Sequence, residues 1–553
     1  MNDPAPAAKI PYTTTLLVVA GLVVALAAWS LPANLKSISP ALLREAGAGT
    51  PSLAHFGRQL GESDKIGPAT LVLDATRAVA DPGAPALATA LADLSAHTPE
   101  MVAWGAWDPF LDPLFSLREN RGRSASTPVL TFFIAEHARE TLRAYLGTSR
   151  SLGVQALLRT RELSATGRFV PATRPGGQPL EAVILLTALL YQGEHLAPPL
   201  QRELRTLAET ALAQKELGEL EPVYSDLLSL GKRLDWAQLG ELLRRTESPK
   251  TVGEYAHLAR VAPGELPVIY AAALFSGSAD RVATYLIKYG KPGLADLRLA
   301  LANGQGAVSQ LLLWQVPVNH GAGAGLGVAA SLVILHPRVM IVLKYLGYLL
   351  AAFLVFRGLD RWIVSPVASS TPGLLPVKSG LLALLLASLF IVATEPFLLK
   401  AAPLSEFRLR LVLPALLSTA SPTSAPAQPT PTMDASTLIS IGFFAALQIA
   451  MYFTCLLKIR EVARTSLPPL VKLRLMENEE NLFDGGLYVG IGGTATALVL
   501  QVLGVIEPNL LAAYSSNLFG ITCVALVKIR HVRPYKRQLI LEGQAQTGGP
   551  TTP

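Results

Sequence analysis

The side chains able to do chemistry are spread thinly along this 553-residue chain. His55, His97, His137, His195, His257 and His320 occupy its first two thirds. None falls in a His-x3-His or His-Glu-x-x-His spacing, which would set two imidazoles on one helix face around a zinc ion. No Gly-x-Ser-x-Gly elbow supplies a nucleophilic serine. The only cysteines, Cys455 and Cys523, sit inside apolar runs with no histidine nearby, so they read as buried apolar thiols rather than as nucleophiles or metal ligands. Gly490 and Gly492 follow no strand and lie in an apolar run, which removes a dinucleotide-binding reading. The aromatic tract from Trp104 to Phe115 reads as a core corner rather than an exposed docking patch. These patterns lead us to expect no catalytic residues, no cofactor and no metal. Only an active site assembled from distant residues would escape them, and it would be recognised by geometry alone.

Two other groups of residues stand out by context. Lys344 and Glu395 are ionisable groups inside or beside apolar segments, where a charge is a functional candidate by default. Both fall near the same end of their segments, so they form a candidate intramembrane charged pair, with snorkelling of each side chain to the interface as the plainer account. The second group is small. Gly486, Gly490, Gly493, Thr494 and Ala497 recur at helical spacing in one apolar run, and Ala513, Ser516 and Gly520 do so in the next. In lipid, apolar burial does not drive helix association, so small residues that let backbones approach are a packing signal.

The elements that must position these residues are mostly membrane helices. The chain is 50% hydrophobic and only 16% charged, against roughly 25% charged in an ordinary soluble domain. Apolar runs long enough to cross a bilayer are expected over 15–31, 339–356, 379–399, 437–457, 485–505 and 509–527. The fold class is therefore an all-α polytopic membrane protein of about six transmembrane helices. Residues 1–31 form an N-terminal anchor or signal, its length favouring the anchor. Residues 32–335 form a large extracytoplasmic, mainly α-helical domain. Residues 336–399 hold the second and third spans, and 400–436 a Pro/Ser/Thr-rich outer loop expected to be disordered. Residues 437–543 hold the last three spans and a short cytoplasmic loop, and 544–553 a disordered tail. Within the large domain, the stretches 200–217, 235–245 and 280–289 carry apolar residues at three- and four-residue spacing. Stacked helix pairs of a solenoid are one arrangement for them, and an irregular helical domain is the other. Short β-like runs at 70–79 and 129–135 leave room for a small sheet.

Charge sets the orientation. Residues 32–335 carry 28 basic and 28 acidic side chains, and the remainder 19 basic against 12 acidic. The excess belongs to the membrane part, which argues against a nucleic-acid partner for the large domain. The densest basic run, Lys528 to Arg537, marks the cytoplasmic side. By alternation both termini are cytoplasmic and residues 32–335 face outward, consistent with the inner membrane and periplasm of a bacterial cell.

Residues 490–494 and 515–520 also resemble the last two spans of the proton-channel subunits of the MotA/TolQ/ExbB family. There, small hydroxyl residues line a path beside a partner's carboxylate. The resemblance implies a transport or proton-driven subunit acting through these two helices. It covers only them. The connection at Ile506-Glu507-Pro508 and the segment 458–484 are shorter than their counterparts in that family, and the large outer domain has no counterpart there. The expected function is a non-catalytic membrane scaffold or adaptor whose outer domain binds another envelope or membrane protein. The alternatives are the transport subunit and an extracytoplasmic enzyme without a recognisable motif.

Overall fold

The computed structural model describes residues 12–117, 125–164, 167–321, 327–364, 374–395, 435–502 and 510–547. The expected disordered loop at 400–436 and the hairpin connection at 506–508 lie outside these residues. The described residues are mostly α-helical. Among the described residues there is no β-strand, only an isolated bridge between Ser164 and Glu216. The chain divides into two compact units: Pro40–Val318, and the residues up to Ser39 together with those from Asn319 on.

In the Pro40–Val318 unit, helices form where apolar side chains recur on one face. Pro198–Gln214 buries Leu200, Leu204, Ala208 and Ala211, a stripe at three- and four-residue spacing. Trp236–Leu243 starts on a capping box, in which Asp235 accepts from the Gln238 N–H and the Gln238 side chain accepts from the Asp235 N–H. Ala279–Asn303 bends at Gly290, whose φ of 58° breaks the helical path, and its second half pairs with Gln305–Trp314. Neither short β-like run forms a strand. The 70–79 run lies in the helix Ile66–Ala78, where Ile66, Ala69, Val72, Leu73 and Thr76 share one buried face. That packed face overrides the β preference of the valines and threonines. The 129–135 run contains the single helical turn Leu130–Phe133. Trp104 is 1% exposed and stacks on Phe132 with ring centroids 3.9 Å apart, so the aromatic tract begins in the core.

The longer helices of the other unit are numbered here in chain order. They are α1 (Tyr12–Ser30), α2 (Pro337–Val364), α3 (Leu374–Thr394), α4 (Ala435–Arg464), α5 (Pro469–Asn478), α6 (Gly485–Val502), α7 (Leu510–Ala525) and α8 (Arg533–Thr547). Helix α1 packs on α2 and α2 on α3; α6 and α7 form a pair that also meets α4; and α5 lies on α8. Among the described residues, two helical stretches are long and apolar enough to cross a membrane, Tyr12–Ser30 and Pro337–Leu359. Both keep apolar side chains exposed, among them Leu16, Leu22, Leu26, Val342 and Leu346. Six such spans were expected; the other four segments are present as the helices α3, α4, α6 and α7. A pair in the first unit, Pro249–Val261 and Pro263–Ser276, is also apolar enough if taken together. It is bent by 113°, and Val268 to Phe275 are buried among protein side chains.

One terminal feature departs from expectation. A π-helical turn, Leu526–Val532, joins α7 to α8 without a break. The helix therefore continues through the basic run, and Gln544–Thr547, expected to be disordered, form the end of α8.

Candidate functional site

The two charged candidates are brought to one end of the α1–α2–α3 bundle. Lys344 is 4% exposed and Glu395 is 0% exposed, so neither snorkels to solvent. Their bonds go to the short segment that follows α1. The Lys344 ammonium donates to the Ala33 carbonyl at 2.7 Å and to Asn34 Oδ1 at 2.8 Å. The Glu395 carboxylate accepts from the Leu35 N–H at 3.1 Å and from the Tyr345 hydroxyl at 2.6 Å. The Lys36 N–H donates to it as well. The two charges are therefore joined through this segment and Tyr345, and the carboxylate is satisfied by donors from two chain regions. Asn319 adds a second tie: its N–H donates to the Ile38 carbonyl at 2.8 Å and its side-chain amide to the Thr394 carbonyl at 3.2 Å. The cluster thus holds the residues just before Pro40 and the residue just after Val318.

Below this clamp, α1 and α2 run antiparallel along a seam of small residues. A Cβ added to Gly21 would lie 2.9 Å from the Ala351 carbonyl oxygen, one on Gly347 2.9 Å from Ala28 Cβ, and one on Gly358 2.7 Å from a Val18 methyl. The sequence reading passed over this seam. Its signal is present in the spacing of Gly347, Ala351 and Gly358, which places them on one helix face.

The small residues of α6 and α7 meet face to face. A Cβ on Gly490 would lie 2.9 Å from the Ser516 carbonyl oxygen, and one on Gly520 2.6 Å from that of Gly486. One on Gly493 would meet Ser516 Oγ at 2.4 Å and the Phe444 ring of α4 at 2.7 Å. Beside Gly486 lies Cys523, and the Gln448 amide of α4 donates to the Gly486 carbonyl at 3.0 Å. The hydroxyls of Thr494 and Ser516 both donate to the Gly490 carbonyl, at 3.0 and 3.3 Å. The side chains of Ala497 and Ala513 lie outside the described residues. Cys455 and Cys523 are free thiols buried in one apolar cluster with Met451, Met476 and Phe483.

In the Pro40–Val318 unit the most concentrated polar chemistry is a chain of charges running through His195. Asp108 Oδ2 lies 2.9 Å from His195 Nε2 and accepts from the Trp236 indole N–H at 2.9 Å. Arg244 lies 2.6 Å from His195 Nδ1. A guanidinium can only donate, so Nδ1 is the acceptor of this bond. Burial pushes the Asp108 carboxyl up, but His195, Trp236 and the Phe110 N–H outweigh it and hold the group below its usual range. Arg244 continues to Glu241 at 2.9 Å, which also binds Lys65 at 2.7 Å and Arg245 at 2.6 Å. Burial again raises the carboxyl, and the bonds from Lys65 and Arg245 overcome it, bringing Glu241 down to about 2. A second buried carboxylate, Glu181, takes Arg139 at 2.9 Å and Arg161 at 2.7 Å.

Among the described residues no group of three or more His, Cys, Asp or Glu side chains is placed to hold a metal ion. No known family model, curated protein or solved structure matches the chain.

Proposed function

We propose that this chain is a multi-pass membrane scaffold. In this reading six helices cross the inner membrane, the helical unit Pro40–Val318 lies on the extracytoplasmic side, and that unit docks another envelope or membrane protein. The observation that carries the reading is the clamp at Lys344 and Glu395. A buried ammonium with two acceptors and a buried carboxylate with its own donors hold the segment that leads to the helical unit, and Asn319 ties the segment that leaves it to the same end of two packed apolar helices. A side chain gripped in this way serves anchorage, not solute passage.

Two further observations support it. The charged side chains concentrated inside the helical unit are spent on one another, as at His195, Glu241 and Glu181. The hydroxyls of Thr494 and Ser516, which a proton path through α6 and α7 would use, are bonded to the Gly490 carbonyl. The test is purification of the full chain from its own membranes in mild detergent, followed by mass measurement of the intact assembly. The reading predicts a second protein at fixed stoichiometry. The chain recovered alone, with an ion flux in vesicles that Thr494→Ala abolishes, would replace this reading with the transport one.

A further inference from the structure

The cytoplasmic-side helices carry positive charge in two different states. Lys458 is paired with Glu461 at 3.3 Å and Glu479 at 3.2 Å, and Lys528 with Asp484 at 2.7 Å. Farther along the same continuous helix, Arg530, Arg533 and Arg537 are exposed, and the structure gives them no carboxylate partner among the described residues. The acidic side chain nearest in sequence, Glu542, is taken by Gln538 at 2.8 Å.

The unpaired charges are not on an ordinary solvated face. Helix α8 turns Leu539 inward with Val527 and Val532 of the preceding turn. Its opposite side sets Ile529, Arg533, Arg537 and Leu541 in line at four-residue spacing. With Pro534 and Gln538 these residues line an open groove of about 430 Å³. Ile529 is 62% exposed and Leu541 58%. Leu518 and Ile521 of α7 and Leu526 of the π-helical turn, which precede this groove in the chain, are also exposed. Exposed apolar side chains running into unpaired guanidiniums match an amphiphile with an anionic head and hydrocarbon tails. Neither a soluble anion nor a neutral lipid matches both parts. Guanidiniums bind phosphate oxygens through their planar fork of N–H donors, and clustered basic residues just beyond a span are the expected partners of anionic lipid.

We propose that Arg533 and Arg537 on the groove form a binding site for the phosphodiester headgroup of an anionic glycerophospholipid, whose chains lie along the exposed apolar side chains Ile521, Leu526 and Ile529. The site rests on the reading of α7 as a membrane span. It adds that the helix end selects its lipid.

The test uses the full chain released from detergent in the mass spectrometer with phosphatidylglycerol or phosphatidylcholine present. The wild-type chain retains phosphatidylglycerol in preference to phosphatidylcholine. R533Q/R537Q lowers that retention by about tenfold or more, while R533K/R537K, which keeps the charge, retains most of it and shows that the exchange itself is tolerated. Millimolar inorganic phosphate leaves the lipid in place. Equal retention of both lipids by the wild-type chain, unchanged retention by R533Q/R537Q, or one-for-one displacement by phosphate would each overturn the site. Alkaline extraction of membranes separates this from the reading beneath it. A chain that stays in the membrane yet shows no lipid preference overturns only the lipid site, and a chain that is extracted overturns both.

Discussion

Burying an ammonium and a carboxylate in one helix bundle is unfavourable unless each is given partners for its polar atoms. Lys344 and Glu395 meet that condition through the segment after α1. Their depth in the apolar runs was legible in the sequence. Their partners were not, because Asn34 and Leu35 lie 310 and 360 residues away in the chain, and no local pattern encodes such a contact. Removing one partner leaves the rest buried without compensation, so Glu395→Ala is expected to destabilise the bundle by about 3–5 kcal/mol. Thermal unfolding of the full chain in detergent, compared with an exposed control such as Glu209→Ala, reads this. Equal midpoints would remove the clamp from the account. In the helical unit the carboxyl of Glu241 lies at about 2, below its usual 4.5. A carboxyl depressed on folding contributes stability that is complete above its unfolded value and is lost as pH falls through the folded one. Stability is therefore expected to decline between about pH 4.5 and pH 2, and Glu241→Gln should flatten that part of the profile while weakening the protein at neutral pH. A profile of the same slope in the variant would assign the acid sensitivity elsewhere.

At the scale of elements, apolar spacing located the helical stretches at 200–217, 235–245 and 280–289 and the long apolar helices, and the small residues of α6 and α7 could be read as a face. What the spacing missed follows from packing. The valines and threonines at 70–79 suggested a strand, yet Val72 and Thr76 fall on a helix face that has a core to enter. The glycines of α1 and α2 were passed over, since each is a single residue in a long apolar run and only the antiparallel crossing brings Gly21 to Ala351 and Gly347 to Ala28. The π-turn at Leu526–Val532 has no sequence signature of comparable clarity, and the residues from Gln544 on read as a tail although Gln544–Thr547 end α8. Close backbone approach makes the α6–α7 contact intolerant of bulk. Gly490→Leu or Gly520→Val should cost about 1–3 kcal/mol by overpacking. Gly492→Leu, where an added Cβ meets nothing within 4 Å, should be neutral. Unfolding by denaturing detergent distinguishes them, and equal sensitivity at all three positions would contradict the packed face.

At the scale of the whole molecule, the proposed topology sets residues 40–318 outside the membrane and the basic run from Lys528 to Arg537 inside. The apolar runs suggested bounds at 32 and 335, and the charge count found the part between them electrically balanced. The two compact units of the fold part at Ser39 and Asn319. The partner was not legible, since docking depends on the shape of a surface assembled from many helices and leaves no local motif. The most direct test places single cysteines in a chain whose buried Cys455 and Cys523 have been replaced by alanine, one in the exposed position Lys232 of the helical unit and one in the exposed position Arg537 of α8. Intact cells are then treated with a thiol reagent that does not cross the inner membrane. The account predicts labelling at position 232 in intact cells and labelling at position 537 only after the membrane is opened. Labelling of both from the same side would contradict it.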